Sequence, residues 1–108
     1  MVRISVDGEV VTLINIFAVA SEDQQRLVDL LVGATEDVVG GRPGYVSASI
    51  HKSLDGTRVT NYVQWRSRED FEAMFGDPSV LAHMREAERI ADSYEPHLYE
   101  VAYTHASS

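Results

Sequence analysis

Val59, Asn61, Val63 and Trp65 alternate with Arg58, Thr60, Tyr62 and Gln64 in the stretch TRVTNYVQWRSREDF (57–71). On a strand, alternate residues share a face. One face is therefore apolar except for a single amide, and it ends on the only tryptophan of the chain. An amide and an indole N–H both donate hydrogen bonds, and the indole also offers a ring to stack on. Set in apolar surroundings, such groups suit a small aromatic ligand. A buried amide left unpaired costs about 1–3 kcal/mol, so Asn61 requires a partner. The plain alternative is a core amide bonded to a helix carbonyl or a neighbouring strand side chain.

Asn15 interrupts the Leu13–Phe17 face in the same way, so two amides can share one pocket. Tyr45, Ser47, Ser49 and His51 alternate on the second strand, and His97, Tyr99, Tyr103 and His105 on the last. If those faces also turn toward the helices, the sheet lines an apolar cavity with scattered polar groups. His83 lies near the apolar stripe of the last helix, where it suits a core-edge histidine, an acid/base or a metal ligand. Arg85, next to Met84, is placed either at the cavity rim or among the solvated charges Glu86, Glu88 and Arg89. No nucleophile elbow, phosphate loop, dinucleotide glycine fingerprint or zinc-type histidine spacing occurs, so no metal site is expected.

The elements that must position these residues follow from periodicity. EVVTLINIFAV (9–19) reads as a strand covered on both faces. Residues 21–39 read as a helix with a Ser21–Gln24 capping box and a stripe of Leu27, Leu30, Leu31, Ala34 and Val38. Gly40-Gly41 ends it, and Pro43-Gly44 leads into an alternating strand, 45–53. Asp55-Gly56 signals a hairpin into the strand of 57–66. A short helix follows at 67–75, capped by Ser67 and Asp70. Asp77-Pro78 starts the helix of 79–92, and 97–105 is a last strand. The order β-α-β-β-α-β predicts an α+β, ferredoxin-like domain over residues 1–108 (core about 9–105), with a four-stranded antiparallel sheet and helices on one face. Val10, Ile14, Ile16, Val46, Ala48, Ile50, Tyr62 and Gln64 are expected on the opposite face. A patch this apolar calls for a cover, most simply a second copy, so a homodimer is expected.

Composition narrows the partners. Nine basic against seventeen acidic residues give a formal charge of −8, unsuited to a nucleic acid or an anionic membrane surface. Cysteine is absent, which excludes disulfides and thiolate metal sites. MVRISVDGEVV lacks the apolar core of a signal peptide, and no apolar run is long enough to span a membrane. The expected setting is cytoplasmic.

RPGYVSASIHKSLDGTRVTNYVQWRSREDFEAMFGDPSVLAHMREA resembles the antibiotic biosynthesis monooxygenases, a family of dimeric α/β barrels. The likeness spans residues 10–105 and is strongest over 43–87. PGY and a strand ending in Trp mark the fold, whereas NY-x-QW is similar to the cofactor-free, quinone-forming branch that serves actinorhodin biosynthesis. The resemblance implies oxidation of an aromatic polyketide phenol or anthrone by O2 without a cofactor. It implies Asn61, Trp65 and Arg85 as catalytic residues, and it puts Phe71 where that branch carries a tyrosine. Expected substrate contacts are Asn15, Phe17, His51, Phe71, Met74, Phe75 and His83. A second resemblance, carried by DPSVLAHM, is to haem-binding and haem-degrading members of the same superfamily. There Asn15 matches a distal Asn and His83 the iron ligand, but Met74 stands where those enzymes have a tryptophan. A dimeric ligand-binding protein without turnover is the third reading.

Overall fold

The computed structural model describes residues 10–107. The N-terminal stretch read for a leader, the start of the first strand at Glu9, and Ser108 lie outside the described residues. Four strands, β1 (Val11–Ala18), β2 (Tyr45–Lys52), β3 (Arg58–Trp65) and β4 (Ser93–Tyr99), form one antiparallel sheet in the order β2-β3-β1-β4. Three helices, α1 (Gln24–Asp37), α2 (Arg68–Ala73) and α3 (Pro78–Ile90), complete the β-α-β-β-α-β order with the second helix broken in two. The fold is the expected ferredoxin-like one. No helix among the described residues is long and apolar enough to cross a membrane.

Register fixes the faces, because directly paired residues project to the same side of a sheet. Leu13, Asn15 and Phe17 of β1 lie opposite Val63, Asn61 and Val59 of β3, and all six face the helices. On β4, Leu98, Pro96 and Tyr94 join them. β2 departs from its sequence pattern. Tyr45 pairs with Trp65, but Ser47 pairs with Gln64, so Val46 is an extra residue. This bulge reverses the phase of the strand. Ala48 and Ile50 therefore pack under the helices, while Ser47, Ser49 and His51 turn to the outer face. The outer face is accordingly more polar than expected. It keeps Ile14, Ile16, Tyr62 and Gln64, loses Ala48 and Ile50, and gains Thr12, Thr60, His97 and Tyr99.

Local chemistry sets the helix starts. Ser67 Oγ accepts from the Asp70 N–H (3.1 Å), and Asp77 accepts from the Ser79 N–H (2.9 Å) with Pro78 in the first turn. The Ser21 box does not form. A 3₁₀ turn, Ser21–Asp23, precedes α1, and the Gln24 amide instead donates to the carbonyls of Ser53 and Arg58, tying α1 to the β2–β3 hairpin. In that hairpin Asp55 accepts from Ser53 and Thr57, which holds its carboxyl down at about 2. Gly44 has φ +83°, and a Cβ there would run into the side chain of Asp70. Glycine thus lets α2 close against the start of β2, which brings Phe71 to Trp65.

Candidate active site

The core is split. One cluster gathers Phe17, Leu27, Leu31, Val59, Ala87 and Ile90, and another gathers Leu13, Val63, Trp65, Met74 and Val80. Between them, on adjacent strands, Asn15 and Asn61 lie directly opposite each other. Above this pair is a cavity of about 330 Å³, lined by the sheet and all three helices. Asn15 Oδ1, Asn61 Oδ1 and Trp65 Nε1 are buried with no hydrogen-bond partner among the described residues. The satisfied-core alternative for Asn61 is therefore not what the structure shows. A half-turn of either amide exchanges its oxygen and nitrogen, so each can offer a donor or an acceptor to the cavity.

The walls are mostly apolar. Trp65, wholly buried, meets Tyr45 edge-on at 6.0 Å between ring centres and Phe71 at 6.4 Å, and Phe71 meets Phe75 at 5.2 Å. This aromatic row runs from the wholly buried Trp65 to the partly exposed Phe75. From α3 come Val80, His83, Met84, Ala87 and Glu88, the i, i+3, i+4, i+7, i+8 face of a helix. At the mouth, the Tyr94 hydroxyl donates to Glu88 Oε1. That bond and the carboxylate's charge push the phenol above its usual range. His83 Nδ1 lies 2.7 Å from the Ser79 carbonyl oxygen one turn back.

Of the ten residues expected to be catalytic or to contact the substrate, Asn15, Phe17, Asn61, Trp65, Phe71, Met74, Phe75 and His83 all line this one cavity. Two do not. His51 is exposed on the outer face, where Nε2 pairs with Ser49 Oγ at 2.8 Å, because the β2 bulge reverses the strand. Arg85 is exposed and outside the wall, since one residue past Met84 is about 100° round the helix. No lysine or arginine is among the lining residues. His97 borders the cavity, but its side chain is on the outer face beside Glu95 (3.2 Å). Among the described residues, no three His, Asp or Glu side chains gather as a metal centre would require.

Glu88 and Tyr94 are among the wall residues the sequence reading missed. The last strand starts at Ser93, not 97, and ends at Tyr99, so Tyr103 and His105 lie beyond it. A proline inside a strand has no N–H to give to a ladder. β4 is an edge strand, however, and an edge tolerates a residue with no N–H.

A ferredoxin-like sheet with an apolar, aromatic-walled cavity on its helix side has the form of a small-molecule site in an α+β protein. Residues 10–86 match the antibiotic biosynthesis monooxygenase family, and the chain belongs to it. It is 49% identical over 83 residues to the tetracenomycin-F1 monooxygenase of Streptomyces glaucescens, covering 77% of this chain and 74% of that protein. The ActVA-Orf6 monooxygenase of Streptomyces coelicolor, solved in complex with nanaomycin D, superimposes with a TM-score of 0.74 at 27% identity over 93% of each chain. SnoaB of Streptomyces nogalater, a cofactor-independent oxygenase, shares the fold with a TM-score of 0.74 at 19% identity, over 89% of this chain and 96% of its own.

Proposed function

We propose that this monooxygenase oxidises a polyketide-type aromatic phenol or anthrone to the quinone with O2 and without a cofactor. The observation that carries the reading is the mostly apolar cavity whose sheet side holds Asn15, Asn61 and Trp65, with Asn15 Oδ1, Asn61 Oδ1 and Trp65 Nε1 buried and unpaired. The likeness to tetracenomycin-F1 monooxygenase supports it. An electron-rich anthrone, once deprotonated, can pass an electron to O2 and so acts as its own reductant. The protein then has to hold a planar ring system, exclude water and donate hydrogen bonds to the oxyanion. Trp65 and the amide of Asn61, with Asn15 beside it, are the donors. Phe17, Phe71, Met74 and Phe75 supply the apolar contact. With Arg85 outside the wall, these neutral donors carry the charge that the resemblance would have shared with an arginine.

Oxygen consumption by purified protein with dithranol tests the reading, with quinone absorbance followed in parallel. Turnover well above the spontaneous rate by colourless protein is expected. No rate above background would remove anthrones as substrates and favour a binding protein. Asn15 and His83 both line the cavity, as the haem reading requires, so haemin titration belongs in the same experiment. A Soret band lost in His83→Ala would transfer the site to haem.

The outer face of the sheet supports a homodimer. Ile16 and Tyr99 are 41% and 48% exposed there, next to Ile14 and Tyr62. Sedimentation at micromolar concentration is expected to give twice the chain mass, and a monomer would refute the pairing.

A further inference from the structure

Oxygenation of an anthrone or phenol has to begin with loss of a proton, and Asn15, Asn61 and Trp65 cannot accept one. Among the cavity-lining side chains the proton acceptors are His83, Glu88 and His97. His97 projects from the other face of the sheet, and Glu88 lies exposed at the mouth, occupied by the Tyr94 hydroxyl. His83 remains, half-buried in the α3 wall beside Met84 and Ala87.

Its tautomer follows from its partner. Nδ1 lies 2.7 Å from the carbonyl oxygen of Ser79, and a carbonyl can only accept. Nδ1 must therefore carry the hydrogen, and in a neutral imidazole that leaves the lone pair on Nε2. Nε2 has no hydrogen-bond partner among the described residues. Ser79 is itself fixed in the first turn of α3 by the bond from its N–H to Asp77. The helix thus orients the base through its own backbone, the part that a third group plays in other acid–base sites.

We propose that Nε2 of His83 is the general base of the reaction. It removes one proton from the C–H or O–H of the bound aromatic, giving the anion and an imidazolium. The anion gives its electrons to O2 and forms a carbon–oxygen bond, and the imidazolium returns its proton to the distal oxygen of the peroxide. Nε2 then takes the second proton from the same carbon as the O–O bond breaks, and the departing hydroxide is protonated to water. For an anthrone the balance is one ring methylene and one O2 converted to one carbonyl and one water, with four electrons moved from substrate to O2.

The inference rests on the proposed function, so its test separates proton removal from oxygenation. Under anaerobic conditions in D2O, base catalysis appears as deuterium entering the ring methylene of dithranol. Wild type is expected to speed that exchange above background. His83→Ala and His83→Gln are expected to lower it about 10²-fold, the low end of what a positioned base contributes. Dithranol binding, read by quenching of Trp65 fluorescence, is expected to stay within threefold of wild type in both, which shows that the site is folded. His83→Gln keeps the bulk and polarity but accepts no proton, so a merely structural role would leave its exchange rate intact. Exchange that survives both substitutions, or no acceleration by wild type, overturns the base. Exchange lost in both variants without quinone formation in air would sustain the base and overturn the oxygenase reading instead. A haemin Soret band lost in His83→Ala also overturns it, by making Nε2 an iron ligand.

Discussion

Asn61→Leu is expected to raise the melting temperature of the protein while nearly abolishing quinone formation. Asn61 stands between Val59 and Val63 on a face whose other members are packed, and its Oδ1 is buried without a partner. Leaving such a group unpaired costs about 1–3 kcal/mol, and a leucine of similar size removes that cost while adding apolar burial. A gain of about 1 kcal/mol is expected, or roughly 4–8 °C in Tm for a domain of this size. Loss of one oxyanion donor removes about 10²–10³ in kcat, so activity falls as stability rises. Thermal melts and oxygen uptake on the same preparations check both signs. A variant that is less stable and still active would make Asn61 a structural amide. Asn15 lies directly across from it, so Asn15→Leu combined with Asn61→Leu should depart from additivity.

The pattern that exposed Asn61 also shows which features a sequence conveys. β3 runs without irregularity, so its period of two reads true from Val59 to Trp65 and places the amide and the indole on one face. The helix of α3 is regular too, and His83, read as lying near its apolar stripe, comes to the wall. β2 looked equally regular, yet one extra residue at Val46 exchanges its faces. Alternation alone cannot show a bulge, because a bulge is a property of the pairing and not of either strand. His51 was lost from the site for that reason. Arg85 was lost for another: a resemblance aligns positions along the chain, whereas a one-residue step on a helix changes direction by about 100°. Glu88 and Tyr94 meet only because an edge strand starts three residues before its proline.

Trp65 separates packing from chemistry through two substitutions. It is wholly buried, and its ring edges meet Tyr45 and Phe71, so it joins the start of β2 to α2. Trp65→Ala opens a cavity in the centre of one core cluster and is expected to cost about 3–5 kcal/mol. Against a total stability of roughly 5–15 kcal/mol, that is enough to lower Tm steeply and to loosen the wall that Phe71 and Phe75 complete. Activity lost in this variant would therefore say little about the indole N–H. Trp65→Phe keeps an aromatic ring in the row and is expected to cost about 1–2 kcal/mol, leaving the domain folded at room temperature. What it removes is Nε1, a buried donor without a partner whose polarity no rotation can reverse. A fall of about 10²-fold in kcat with KM changed by less than threefold is expected, the signature of a bond that strengthens in the transition state. Steady-state oxygen uptake at several dithranol concentrations separates the two parameters. A raised KM with kcat unchanged would mean that Trp65 only holds the ring of the substrate. The developing oxyanion would then have to be carried by Asn15 and Asn61 alone.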